Sequence, residues 1–253
     1  MTEIKIVLGP NATGKSHYIN KNYKNTDYYL MNIREYHDRM LGELAIDNMI
    51  PYDLYYKVLS EAQQKIVEDA IDILRTGRSV VMEHTLFKAK RRTEYIEKIR
   101  SKIETTREAY QMTPSKEQWL RNVKKAELDI SIEAQEEEFE AVNSIEGFDA
   151  VYQVKDNGII KKIEEKPFLH ICEVCGKEAI LLSEEAYQQG WDYPPRMGKF
   201  GVLSPRTCEQ CTIEKTLWWK VKTGKESIRG TELNNSQKTL VRRIQEEPGC
   251  LYI

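Results

Sequence analysis

Ile4-Lys5-Ile6-Val7-Leu8-Gly9-Pro10-Asn11-Ala12-Thr13-Gly14-Lys15-Ser16 is the stretch that decides the fold. Ile4 to Leu8 is a short apolar run closed by glycine, which reads as a buried strand. Gly9 to Ser16 fits the pattern G-x-x-x-x-G-K-[ST] at every position, and a helix can begin at Lys15. Strand, glycine loop and helix in that order make an anion site. The glycines let the backbone N–H groups of Asn11, Ala12, Thr13 and Gly14 curl around a phosphate, and the helix N-terminus adds a favourable dipole. Lys15 can reach the β- and γ-phosphates of ATP, and the Ser16 hydroxyl can ligate Mg²⁺. The loop says nothing about what receives a phosphate.

Outward from this loop, strand-like and helix-like segments alternate. Tyr28–Ile33, Ser79–Met82 and Thr106–Met112 read as strands. Asp53 to Leu74 places Val58, Ala62, Ile66, Ala70 and Ile73 at helical spacing, with Asp53 as the expected cap. Lys88–Ile103 reads as a charged amphipathic helix. Thr113-Pro114 reads as a cap and first turn, and Glu117 to Glu140 as one helix. Ala150–Val154 and Ile159–Ile163 flank Asp156-Asn157-Gly158, a hairpin signal. The alternation predicts a three-layer α/β domain with a mostly parallel sheet.

The chain has 253 residues, 40% hydrophobic and 31% charged, which excludes a collagen-like or low-complexity protein. No apolar run approaches the ~18 residues of a membrane span, and no secretory signal is visible, so the expected compartment is the cytosol and no membrane partner is expected. The net charge of −2 hides an asymmetry. Residues 1–165 hold 25 Lys and Arg against 29 Asp and Glu, and residues 166–253 hold 13 against 11. A charged stretch before Pro167 sets the expected boundary near 165, between a P-loop domain (1–165) and a second module (166–253).

Glu83 follows the strand 79–82, where an acidic residue can orient Mg²⁺ or polarise a nucleophile; a solvated strand-end carboxylate is the alternative. His84 comes next, in place of the second carboxylate common in motor-type ATPases, which favours a kinase. His84 itself reads equally as a substrate contact or a packing residue. Further short motifs are Asn32-Ile33-Arg34-Glu35-Tyr36-His37, Val80-Val81-Met82-Glu83-His84-Thr85 with Arg91-Arg92, Thr113-Pro114 with Arg121-Asn122, and Glu146-Gly147-Phe148-Asp149. With the glycine loop, and in this order over about residues 1–160, they resemble the kinase domains of polynucleotide kinases and the zeta-toxin group of P-loop kinases. The resemblance implies a lid arginine at Arg121 that clamps the transferred phosphates, with Lys125 as a second basic position one turn on. It also implies an Asp just after the second strand as general base. Here that position holds Arg34, so Glu35 is the candidate base if the loop shifts by one residue, with a plain helix-start carboxylate as the alternative reading and Asp38 a turn further.

Cys172, Cys175, Cys208 and Cys211 form C-x₂-C-x₃₂-C-x₂-C. Four thiolates in two knuckles suit a closed, structural Zn²⁺ site of the zinc-ribbon kind, in which Gly176 permits the tight turn. A redox pair and an iron–sulfur site are the alternatives. The long gap predicts an inserted loop carrying Trp191-Asp192-Tyr193-Pro194-Pro195. His170 reads as a neighbouring surface residue, with replacement of one cysteine ligand as the alternative, and Cys250 reads as a free thiol. Trp218 and Trp219 precede Lys220, Lys222, Lys225, Arg229, Lys238, Arg242 and Arg243. Aromatics beside cations suit single-stranded DNA or RNA ends, and a small core around the zinc is the competing use of the tryptophans. The expected activity is an ATP/Mg²⁺-dependent phosphotransferase acting on a nucleic-acid hydroxyl. A nucleotide-sugar kinase and a nucleotide-switched binding factor are the competitors.

Overall fold

The computed structural model describes residues 2–42, 52–192, 206–227 and 233–252. Tyr193-Pro194-Pro195 and Arg229 lie outside the described residues. The first strand, β1 (Glu3–Leu8), is followed by α1 (Lys15–Tyr23), β2 (Tyr29–Asn32), α2 (Ile33–Gly42), α3 (Tyr52–Arg75), β3 (Val80–His84), α4 (Ala89–Arg100) and β4 (Thr106–Met112). Then come α5 (Lys116–Lys125), α6 (Ile132–Glu138), β5 (Ala150–Val154) and β6 (Ile160–Lys162). These six strands form one sheet in the order β2-β3-β1-β4-β5-β6, parallel throughout except for the β5–β6 hairpin.

Alternation along the strands assigns the two faces. Ile4, Ile6, Leu8, Val80, Met82 and Ala109 pack against residues of α2, α3 and α4. Val7, Val81, Tyr110 and Met112 face the other way, against Tyr18 and Ile19 of α1. The result is the expected three-layer arrangement. Lys5 interrupts the apolar run of β1, and two carboxylates explain its burial: its Nζ donates to Glu3 at 2.7 Å and to Glu108 at 2.6 Å. That pairing outweighs desolvation and raises its pKa.

Four local expectations need correction. β3 does not stop at Met82, because Val7 and Leu8 of β1 still pair with Glu83 and His84. The helix expected over 117–140 is two helices: Glu127 turns left-handed (φ 50°), and Ser131 caps a new helix, its side chain accepting from Ala134 N at 3.1 Å. The cap of α5 is Ser115, which accepts from Gln118 N, and not Thr113. Asp53 sits within the first turn of α3, one residue inside its start.

The chain divides into two compact units, Met1–Phe87 with Tyr95–Val142 and Gly147–Ile163, and Lys88–Glu94 with Asn143–Glu146 and Glu164–Ile253. The second unit holds an antiparallel pair, β7 (Phe168–Ile171) and β8 (Glu178–Leu181), then α7 (Ser183–Gln188), α8 (Leu217–Lys222) and α9 (Asn235–Glu246). Among the described residues, no helix is long and apolar enough to cross a membrane.

Candidate active site and metal centre

Parallel strands deliver their carboxyl ends to one edge of the sheet, where the glycine loop follows β1. Gly9 has φ +148°, and a Cβ there would stand 3.2 Å from Met112 Cβ; Gly14, at φ +96°, turns the chain into α1. Lys15 is buried inside the loop, with Nζ donating to the Gly9 carbonyl at 2.9 Å and the Pro10 carbonyl at 2.7 Å. Burial pulls its pKa down to about 8, and the charge of Arg34 pulls the same way, against the attraction of Glu83.

Glu83 stands at the tip of β3 and joins three elements. Its Oε1 accepts from Ser16 Oγ at 2.8 Å and its Oε2 from Asn32 Nδ2 at 3.0 Å. The other arm of Asn32 accepts from Arg34 N at 2.8 Å, so the start of α2 is tied to the same carboxylate. Hydroxyl and carboxylate beside a buried lysine are the oxygen donors and the charge that a Mg²⁺–phosphate group requires. His84 takes no part in this. It is buried, its Nδ1 accepts from Leu86 N at 3.2 Å, and its Nε2 lies 3.3 Å from the Tyr95 hydroxyl. Burial and the nearby Lys15 push its pKa down to about 3, which keeps the ring neutral.

The other expected residues are more scattered. Glu35 is exposed in the first turn of α2. Arg121 and Lys125 are exposed on α5, and the Arg121 guanidinium binds Glu117 and Gln118 of its own helix. The side chains of α5 that reach the loop are Trp119, whose Nε1 donates to the Asn11 carbonyl at 2.8 Å, and Asn122, whose Nδ2 donates to the Ala12 carbonyl at 2.9 Å. At ~100° per residue, Arg121 points well away from that face. Gln135 of α6 accepts from Asn11 N at 2.8 Å. These three contacts hold Ala12 in its left-handed conformation (φ 60°). The motif Thr113…Arg121-Asn122 held one of them, and nothing in the sequence marked Trp119 or Gln135.

The motif residues downstream build structure. Arg92 and Glu146 form a fully buried bidentate pair at 2.6 and 2.9 Å, and Asp149 binds Arg107.

In the second unit, the Sγ atoms of Cys172, Cys175, Cys208 and Cys211 all lie within 4.8 Å of one another. Tetrahedral Zn–S bonds of ~2.3 Å place sulfurs about 3.8 Å apart. Cys175 and Cys208 sulfurs stand at 3.7 Å, so the set fits zinc. Burial raises the Cys172 thiol, but the N–H groups of Cys175, Cys208 and Val174 outweigh it and bring the pKa to about 7. Gly176, at φ +74°, donates its N–H to the Cys172 carbonyl at 2.9 Å. Trp191 packs on Cys172, Cys208 and Ala186. His170 is buried, not on the surface: it stacks on Phe168 and meets Trp191 edge-on, and it is not one of the clustered ligands. Trp218 packs with Leu217, Leu233 and Ile244, a cluster separate from the one around the four cysteines, so it is not part of a core around the zinc; Trp219 is half-buried. Cys250 is an exposed free thiol.

The family described as AAA domain matches residues 4–145. No curated protein matches the chain. Among solved structures, a candidate kinase from Chloroflexus aurantiacus is similar at 19% identity and a TM-score of 0.42, over 49% of this chain and 65% of its own. The chain thus spans just under two thirds of that kinase. A sugar kinase from Janibacter sp. matches at 10% identity and a TM-score of 0.42, over 61% of this chain and 86% of its own. The Pnkp1/Rnl/Hen1 RNA repair complex matches at 11% identity and a TM-score of 0.37, over 100% of this chain and 88% of its own. Substrate and activity do not transfer with likenesses this low.

Proposed function

We propose that this chain, a P-loop enzyme that belongs to the AAA domain family through residues 4–145, transfers the γ-phosphoryl group of ATP to a hydroxyl of a nucleic-acid end. The observation that carries the reading is the Ser16–Glu83–Asn32 constellation beside the buried Lys15. The residue after Glu83 supports transfer over hydrolysis. It is a neutral, buried imidazole occupied by Leu86 N and Tyr95, where a second carboxylate could have activated water. The nucleic-acid acceptor rests on the order of motifs shared with polynucleotide kinases.

In this reading the loop N–H groups from Asn11 to Ser16 bind the phosphates, and Lys15 neutralises charge on the β- and γ-oxygens. Ser16 and Glu83 would hold and orient Mg²⁺, which would supply charge neutralisation to the transferred phosphoryl group. The acceptor hydroxyl oxygen forms a bond to the γ-phosphorus, the bond from phosphorus to the ADP oxygen breaks, and Glu35 takes the hydroxyl proton. Arg121 and Lys125 act as clamps if α5 turns them toward the phosphates when nucleotide binds. The P-loop domain over 1–165 does the chemistry. The module over 166–253, braced by a structural Zn²⁺ on Cys172, Cys175, Cys208 and Cys211, presents the acceptor.

The test is transfer from labelled ATP to a panel of 5′-hydroxyl oligonucleotides and sugar nucleotides. Labelled oligonucleotide is the expected product. Labelled sugar nucleotide alone would replace the acceptor, and ADP release without any labelled acceptor would replace the reaction.

A further inference from the structure

The sheet order sets what lines the edge where the glycine loop sits. β1, which leads into the loop, lies between β4 and β3, and β2 lies beyond β3. On the β4 side, α5 holds the carbonyls of Asn11 and Ala12 through Trp119 and Asn122. On the β3 side, Glu83 meets Ser16, and β2 brings Asn32 level with Glu83 in register. Lys15 and Ser16 mark the end of the loop that takes the γ-phosphoryl group. The first charged residue past Asn32 is Arg34, in the first turn of α2.

The backbone that carries Arg34 is tied to this end of the loop. Its N–H donates to Asn32 Oδ1 at 2.8 Å, while Asn32 Nδ2 donates to Glu83 at 3.0 Å. The Arg34 side chain is exposed, and among the described residues no carboxylate pairs with its guanidinium. Both Glu83 oxygens are taken by Ser16 and Asn32, Glu35 is exposed, and Asp38, one turn on, lies 3.6 Å from His37 Nδ1. Nothing local rewards a cation here. In the first turn it opposes the helix dipole. Its charge also repels the Lys15 ammonium, adding to the effect of burial on that lysine. An anion between two such cations relieves both. Arg121, by contrast, is bound to Glu117 and Gln118 of its own helix.

From this placement we infer that Arg34 is a catalytic residue whose guanidinium donates to the non-bridging oxygens of the γ-phosphoryl group and stabilises the charge spread over them during transfer. The inference rests on the phosphotransfer reading, and it adds a cation that needs no turn of α5. Arginine only donates and stays protonated, so it takes no proton from the acceptor. That proton still goes to Glu35, and the bonds made and broken at phosphorus are unchanged. The planar guanidinium grips two phosphoryl oxygens at once, which an ammonium cannot do.

The experiment compares the full chain with Arg34→Gln and Arg34→Lys. Titration calorimetry with MgATP and, separately, with MgADP reads the γ-phosphoryl contact without any acceptor. Arg34→Gln should lose about tenfold or more in MgATP affinity, as expected for hydrogen bonds to a charged group, and keep MgADP affinity within about twofold. Its turnover on the acceptor that the wild type labels should fall by ~10³-fold. Arg34→Lys should recover part of the MgATP affinity and little of the turnover. Because the side chain is exposed and the backbone N–H is kept, both variants should unfold at the wild-type temperature. An unchanged ratio of MgATP to MgADP affinity in Arg34→Gln would overturn the inference, whatever the rate. So would unchanged nucleotide affinities with a raised KM for the acceptor, which would put Arg34 on the acceptor instead. Neither result touches the proposed function. Failure of the wild type to label any oligonucleotide would overturn that function, while the contrast between MgATP and MgADP would still report on Arg34.

Discussion

Raising the pH should move nucleotide affinity and protein stability in opposite directions, and both through Lys15. Its ammonium is buried against the Gly9 and Pro10 carbonyls and its pKa is lowered to about 8 from an ordinary 10.5. Between those values the unfolded chain binds the proton and the folded chain does not, so stability rises with pH across this window. At ~1.36 kcal/mol per pKa unit the full gain is about 3 kcal/mol, complete near pH 10.5 and absent below pH 8. Nucleotide binding runs the other way. Phosphate oxygens favour the charged lysine, so binding above pH 8 must take up a proton, and affinity should fall by up to tenfold per pH unit. Titration calorimetry with MgATP from about pH 7.5 to about pH 9.5 should show roughly a 25-fold loss for the wild type. Lys15→Met is the reference. It should bind weakly with little pH dependence, and its denaturant-measured stability should lack the rise above pH 8. An equal pH dependence of affinity in both proteins would refute the assignment of Lys15 as the cation on the phosphates.

Asn122→Ala removes the donor to the Ala12 carbonyl and should weaken MgATP binding by about fivefold, the value of one hydrogen bond of ~1 kcal/mol, as read by calorimetry. Trp119→Phe should behave alike. Glu35→Gln should cut turnover by ~10²-fold or more with ATP affinity intact if Glu35 takes the acceptor proton, and an unchanged rate would move that role to Asp38 or Glu83. Elemental analysis should find one zinc per chain. Cys208→Ser with Cys211→Ser should abolish it and raise amide exchange across Phe168–Ile171 and Glu178–Leu181, since such a site supplies on the order of 10 kcal/mol of folding energy. Zinc retained by that double variant would exclude the four-cysteine site.

The parts of the fold legible in the sequence were those written in local patterns. Ile4–Leu8 with the glycine loop, the apolar stripe of α3 and the Asp-Asn-Gly hairpin each state their structure within a few residues. The break between α5 and α6 was not legible, because Glu127 rather than a glycine adopts the left-handed conformation. The burial of His170 depends on Phe168 and on the distant Trp191, which no periodicity displays. The site divides in the same way. Lys15 and Ser16 are fixed by their motif, whereas the hold of Trp119, Asn122 and Gln135 on the loop arises from tertiary packing. Asn32 was visible as part of a motif, but its bond to Glu83 joins strands that are 51 positions apart.

The most direct test of the central claim is a single-turnover assay with γ-labelled ATP, Mg²⁺ and 5′-hydroxyl oligonucleotides beside sugar nucleotides. The account predicts label on the oligonucleotide 5′ end, abolished by Lys15→Met and cut by ~10²-fold or more in Glu83→Gln. Label on a sugar nucleotide only, or free phosphate with no labelled acceptor, would contradict it.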